Sequence, residues 1–328
     1  MPRPQQRQKG SRLGSHSASA SGSSPVRRVV RHNPDAASTR KRKSQAVHTL
    51  SLLAASLTGA TQFAGVQPAR AADHISYAWN GTTMAAQRAG TPGGTRVIFI
   101  HGTPGSAGAW EAYLTDVPQT YEYIAVDRAG FGQSGPTQAV TSLEQHARAL
   151  APLLADETNP AIVVGHSLGA PVAAMLGVLF PTRVRALVMV AGAFDPALEK
   201  VHVMQSVGNW WGVRHLLPRA LRNANHELLA LRQELISLAP RLASLAMPVE
   251  IVHGTDDNLT PFQNVPFAEA HMKNAPLSVT VLEGQNHFLP WNAKPEIDMA
   301  IARAAQAGAH AAQQDSLSSA NFVHESAQ

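Results

Sequence analysis

Residues 161–179 read AIVVGHSLGAPVAAMLGVL. Ala161–Val164 is a short, apolar, β-branched run, the signature of a strand covered on both faces. From Gly169 onward the spacing turns helical. Between them lies Gly165-His166-Ser167-Leu168-Gly169, a G-x-S-x-G pentapeptide. By itself that pentapeptide is a weak signal. Between a strand and a helix it describes a tight turn that lifts the serine hydroxyl above the carboxyl end of the strand. The flanking glycines are needed because side chains there would collide in so sharp a bend. Ser167 is therefore a candidate nucleophile, and the competing reading is an ordinary turn serine.

The surroundings repeat this alternation. Runs at 96–102 (RVIFIHG), 121–127 (YEYIAVD), 185–192 (RALVMVAG), 249–254 (VEIVHG) and 277–284 (LSVTVLEG) read as further strands. Helical stretches such as Ser142–Glu157 and Leu168–Phe180 lie between them. Strand and helix in alternation predict an α/β fold with a doubly wound, mostly parallel sheet. Ile75–Ala89 is expected to add one or two antiparallel edge strands. The expected core is 72–194 together with 248–307. Residues 195–247, after the sixth strand, are too many for a connection and predict a small helical lid. The Ala/Gln/Ser-rich 308–328 predicts a disordered tail.

Charge separates the leader from the rest. The chain of 328 residues is formally +5. Residues 1–71 hold twelve Lys/Arg and one acid, a balance of +11, so the remainder, with fifteen bases and twenty-one acids, is −6. The basicity thus gives no support to nucleic-acid binding by the folded part. Residues 1–45 are polar and basic and predict disorder. They end in Arg40-Lys41-Arg42-Lys43, followed by an apolar run at 46–66 and Pro68-Ala69-Arg70-Ala71. A positive flank, an apolar stretch and an A-x-A site predict a signal peptide cleaved after Ala71, hence export to the periplasm or the exterior. The alternative is a membrane anchor through 46–66, although His48 and Gln62 weaken a span. The chain has no cysteine, which excludes disulfides, Cys-ligated zinc and thiol catalysis.

Five motifs in order resemble those of the α/β-hydrolase fold, over about residues 92–305. They are His101-Gly102-Thr103-Pro104-Gly105, Asp127-Arg128-Ala129-Gly130-Phe131-Gly132-Gln133-Ser134, the elbow at Gly165–Gly169, His253-Gly254-Thr255-Asp256-Asp257, and Asn286-His287-Phe288. The resemblance implies a Ser-Asp-His chain order. A serine hydroxyl is a poor nucleophile at neutral pH, so it needs a base and the base an orienting acid. His287, in the loop after the last strand, is the candidate base. His253 and His271 read as core or surface histidines, and His101 as a brace for its loop. Family spacing from Gly254 favours Asp257 as the acid, with Asp256 and Asp195 as alternatives. The resemblance assigns the oxyanion donors to the N–H groups of Thr103 and Leu168. Asp127-Arg128 and the glycines after them read as structural. Trp210, Trp211, Phe288 and Trp291 are pocket candidates that packing would explain equally well.

A serine at the elbow argues against the alkyl-enzyme chemistry of dehalogenases and epoxide hydrolases, which use an aspartate there. It favours acyl transfer from a small-molecule ester or lipid. Amide or aminopeptidase activity and peracid chemistry on the same three residues are alternatives, as is a non-catalytic binding module. No metal-ligand spacing, P-loop or dinucleotide fingerprint is visible, and no cofactor is expected. Nothing in the sequence fixes an oligomeric state.

Overall fold

The computed structural model describes residues 27–32, 72–154, 157–199 and 217–325. Its centre is a nine-stranded sheet. The strands are β1 (Arg27–His32), β2 (Asp73–Trp79), β3 (Thr82–Gly90), β4 (Thr95–Ile100), β5 (Tyr121–Val126), β6 (Ala161–His166), β7 (Val184–Val190), β8 (Val249–Gly254) and β9 (Leu277–Glu283). Their order across the sheet is β1-β9-β8-β7-β6-β4-β5-β3-β2. All neighbours are parallel except β2–β3 and β3–β5. The expected edge strands are thus a hairpin, turned at Asn80-Gly81 with φ of 47° and 72°. Asn-Gly suits that left-handed pair and closes a two-residue turn.

Seven α-helices flank the sheet among the described residues: α1 (Glu111–Leu114), α2 (Leu143–Leu150), α3 (Gly169–Leu179), α4 (Arg219–Leu238), α5 (Asn264–His271), α6 (Leu289–Asn292) and α7 (Lys294–Glu325). The apolar strands feed two cores, because successive side chains point to opposite faces. On β4, Ile98 and Ile100 join the core beneath α2, α3 and α4, while Val97 and Phe99 join the core beneath α7. On β7, Leu187 and Met189 take the first face and Ala186, Val188 and Val190 the second. Phe99 is fully buried against Trp110 and Tyr113, at centroid distances of 5.0 and 5.4 Å. Burying each large apolar side chain contributes roughly 1.5–3 kcal/mol.

Strand order reverses at β4. The chain moves from β4 to β5 on one side and returns to β6 on the other, where Ile100 registers with Gly165. Such a reversal leaves a crevice outside the carboxyl ends of the strands. The loops after β4 and β6 meet there.

Three expectations are corrected or narrowed. Arg27–His32 lies in the stretch expected to be disordered, yet it pairs in parallel with β9, Val29 opposite Thr280 and Val30 opposite Val281. The segment cannot build a core of its own, but it needs none, because it completes an existing edge and clamps Glu269 with Arg28. The final helix runs on to Glu325, past the start of the tail expected to be disordered. Its first half is anchored by buried Ile297, Ala300, Ile301 and Ala304. The Ala-rich continuation then extends it by propensity, alanine being the strongest helix former. In the insertion, α4 supplies twenty helical residues after β7, the sixth strand once the added β1 is set aside. Residues 46–66, the cleavage position at Ala71, and Trp210 and Trp211 lie outside the described residues. Among the described residues no helix is long and apolar enough to cross a membrane.

Candidate active site

Ser167 stands between β6 and α3 with φ of +55°. Few residues other than glycine adopt that region, and holding one there costs on the order of 1–3 kcal/mol. The surroundings enforce it. The Ser167 N–H donates to Val190 O at 3.0 Å, and its own carbonyl accepts from Ala170 N at 3.0 Å. A Cβ on Gly165 would run into the Gly169 carbonyl, so the bend closes only around glycine. A Cβ on Gly102 would come 2.8 Å from the Ser167 Cβ. The loop after β4 is therefore pressed directly against the serine.

His287 lies in the loop between β9 and α6, and its Nδ1 is 2.8 Å from Asp257 Oδ2. Asp257 is buried in the loop after β8. Its Oδ1 accepts the N–H groups of Leu259 (2.9 Å) and Thr260 (2.8 Å), while Thr260 Oγ sits 2.8 Å from Oδ2. Burial works to raise the Asp257 pKa, but the His287 and Thr260 hydrogen bonds outweigh it and hold the carboxyl below its ordinary range. Nδ1 of His287 is thus the protonated nitrogen, leaving Nε2 free to exchange a proton.

The two alternative acids are elsewhere. Asp256 is exposed and takes the Thr255 hydroxyl at 3.2 Å, while the Asp195 carboxylate accepts from Ala197 N at 2.8 Å. His253 is a buried histidine bonded to Thr260 O at 2.8 Å, and His271 stacks on Phe267. Both fit their expected structural parts.

Ser167, His287, Thr103 and Phe288 line one cavity of about 540 Å³. Leu168 is buried at the start of α3, where helix N–H groups lack internal acceptors. The mouth is apolar: Leu259, Phe288 and Trp291 are 66%, 50% and 56% exposed. The Phe288 ring faces His287, and Trp291 faces His166 edge-on, each at 6.0 Å.

The loop after β4 is braced from below. His101 Nε2 accepts the Arg128 N–H at 3.0 Å, and its Nδ1 is bonded to Gly102 O. Burial first, then the Arg128 charge, pushes the His101 pKa well below its usual value, so the ring is a neutral strut. Asp127 accepts Ala107 N and Gln133 N, both at 2.7 Å.

Two residues were missed in the sequence. Thr260 supports the acid, and its signal was the Asp-x-x-Thr spacing of a side-chain-capped turn. Glu227, on α4, accepts the Thr103 hydroxyl at 2.5 Å. Its signal was an acid on the inward stripe of an otherwise amphipathic helix.

A family profile described as "Alpha/beta hydrolase family" matches residues 97–317. Among curated relatives, the dihydrolipoyllysine-residue acetyltransferase component of the acetoin cleaving system of Cupriavidus necator is 42% identical over 101 residues, 30% of this chain and 27% of that protein. Lipase LipV of Mycobacterium tuberculosis is 36% identical over 116 residues, 35% of this chain and 42% of the lipase. The chain thus spans well under two thirds of either relative's length. Among solved structures, the epoxide hydrolase CorEH superposes with a TM-score of 0.58 at 19% identity, over 70% of this chain and 97% of that one.

Proposed function

The chain belongs to the alpha/beta hydrolase family, and from that premise we propose that it is a serine hydrolase acting on carboxylic esters. One observation carries the reading. A serine held at φ +55° opens onto the same cavity as a histidine whose far nitrogen is fixed 2.8 Å from a buried carboxylate. The similarity to a lipase adds a lean toward esters and lipids.

In this mechanism His287 Nε2 takes the Ser167 hydroxyl proton as Oγ attacks the acyl carbon. The carbonyl π pair moves onto oxygen, and the N–H groups of Leu168 and Thr103 receive the charge. Asp257 holds the imidazole tautomer and stabilises the imidazolium. The tetrahedral intermediate expels the alcohol, which leaves with the proton from His287. Water, deprotonated by His287, then attacks the acyl carbon; the second tetrahedral intermediate collapses, His287 returns the proton to Ser167 Oγ, and the acid leaves. The apolar mouth at Leu259, Phe288 and Trp291 suits an acyl chain better than a charged group.

Export with cleavage after Ala71 is part of the same proposal. It is supported by the basic flank, the apolar run and the A-x-A site, and sequencing the N-terminus of the secreted chain tests it. The enzymatic test is a p-nitrophenyl ester panel with wild type and Ser167→Ala, beside fluorophosphonate labelling. Hydrolysis and labelling that vanish in the variant are expected. A fully active Ser167→Ala, or an inert and unlabelled wild type, overturns the reading. Aminoacyl-naphthylamide turnover in preference to esters would redirect it to amides.

A further inference from the structure

Helix α4 presents one continuous stripe to the body of the protein. Residues 219, 223, 227, 231 and 235 recur every four positions, so they share a face. The second half of the stripe, Leu231 and Leu235, is apolar core. The first half is polar and grips the Asp127–Thr137 segment. Arg219 donates to Gly132 O at 2.7 Å, and Asn223 donates to Gly130 O at 2.9 Å and Thr137 O at 3.2 Å. Glu227 goes deepest. Its Oε1 takes Arg128 Nη1 at 2.5 Å and His146 Nε2 at 2.7 Å, while Oε2 takes Arg128 Nη2 at 3.1 Å and the Thr103 hydroxyl at 2.5 Å.

Arg128 has no exposed surface, and its remaining donors go to the strand-end loop. Nε donates to His101 O and Nη2 to Gly102 O, both at 3.0 Å. The two carbonyls preceding Thr103 and the Thr103 side chain are therefore all held, directly or through one guanidinium, by a carboxylate on the inserted helix. A planar five-donor fork suits that arrangement, since it fixes direction as well as distance.

We propose that Glu227 is a positioning residue for the oxyanion site: it fixes the loop bearing the Thr103 N–H, so that site is complete only when α4 is seated. The inference rests on the serine-hydrolase reading and gives the inserted helix a part in the chemistry. A donor displaced by a fraction of an ångström binds the developing oxyanion less well and the ground-state ester almost equally, so the loss should fall on kcat.

The test compares wild type, Thr103→Val, Thr103→Ser, Glu227→Gln and the Thr103→Val/Glu227→Gln double variant. The readouts are kcat and KM for p-nitrophenyl butyrate, the rate of fluorophosphonate labelling of Ser167, and the thermal midpoint. Thr103→Val keeps the N–H and loses only the tether. It should lower kcat roughly tenfold, less than the about 100-fold that follows outright loss of an oxyanion donor. KM should stay within about twofold, and labelling should slow in step. Thr103→Ser should recover most of the loss. Glu227→Gln should lower kcat likewise, and the double variant should be little worse than the poorer single. If Glu227→Gln does not fold, the Thr103→Val and Thr103→Ser pair decides alone. Wild-type kcat in Thr103→Val, with or without a lowered midpoint, overturns the inference and leaves the hydrolase reading standing. A wild type that neither hydrolyses nor labels overturns both.

Discussion

His166 donates its Nε2–H to the carbonyl oxygen of His287 at 3.0 Å, with the two rings 4.8 Å apart. The residue before the nucleophile thus pins the backbone of the candidate base, and it does so as a neutral ring. Burial, reinforced by His287 nearby, brings the His166 pKa down to about 3.

That pin makes stability depend on pH. An unfolded His166 takes a proton near about 6.5, while the folded ring refuses it until about pH 3. Between those values the unfolded chain binds the extra proton, so stability falls as pH drops through the window. Buried neutral His101 acts in the same direction. Glu227 joins lower down. Burial favours its protonated form, but Arg128 and His146 outweigh that and hold its pKa to about 2, so its contribution is present above the ordinary carboxyl value and fades toward pH 2. The thermal midpoint of Ser167→Ala should decline steadily from pH 6.5 to 4, and His166→Gln in that background should flatten the slope. An unchanged slope refutes the assignment to His166.

The three candidate acids separate by mutation. Asp257→Asn leaves His287 in the wrong tautomer and should lower kcat by about 10³–10⁴-fold. Asp256→Asn and Asp195→Asn should stay within about twofold, since neither carboxylate meets His287 through any described contact. Steady-state ester hydrolysis by the three variants decides it. A severe loss in Asp256→Asn would point to a different loop geometry in solution.

The strained backbone at Ser167 predicts a gain in stability on losing activity. Ser167→Gly relieves a left-handed residue that Ser167→Ala retains. Part of the relief is offset by glycine's chain entropy, leaving Ser167→Gly about 0.5–1 kcal/mol more stable than Ser167→Ala. Urea unfolding of the two inactive variants measures the difference. Equal midpoints would mean that the turn relaxes without the serine side chain.

Phe99 is the aromatic keystone of the core beneath α7. Phe99→Ala should cost about 3–5 kcal/mol, the range for emptying a fully buried aromatic site. Conservative Phe99→Leu should cost much less. Denaturant unfolding of both variants tests whether the Trp110 and Tyr113 contacts carry that weight.

The parts legible in the sequence were those whose signal is local. The elbow at Gly165–Gly169 announced itself by strand, glycine and helix in succession, and the structure shows the clashes that make glycine necessary. Continuous apolar runs such as Val97–Ile100 read as strands because both faces are covered. Asp257 came from the spacing of the family that the motifs resemble, and its Oδ2 lies 2.8 Å from His287 Nδ1. The parts not legible depend on partners distant in the chain. Glu227 meets Thr103 across 124 positions, and a glutamate on a helix ordinarily reads as a solvated face. Arg27–His32 has the composition of a disordered leader, and only the free side of β9 makes it a strand. The helix beyond Ala307 continues by propensity where low complexity suggested disorder.

The Arg27–His32 strand stands upstream of the expected cut after Ala71, and that order has a consequence for the life of the molecule. Precursor and processed chain would differ in which strand is outermost as well as in length. While Arg27–His32 is in place, the outer edge of Leu277–Glu283 is paired; in a chain cut after Ala71 that strand would carry a row of open backbone donors and acceptors. Open edges invite pairing with another chain. A chain starting at Ala72 should therefore scatter light at concentrations where the full-length chain stays clear, and adding a synthetic peptide of residues 25–34 should suppress it.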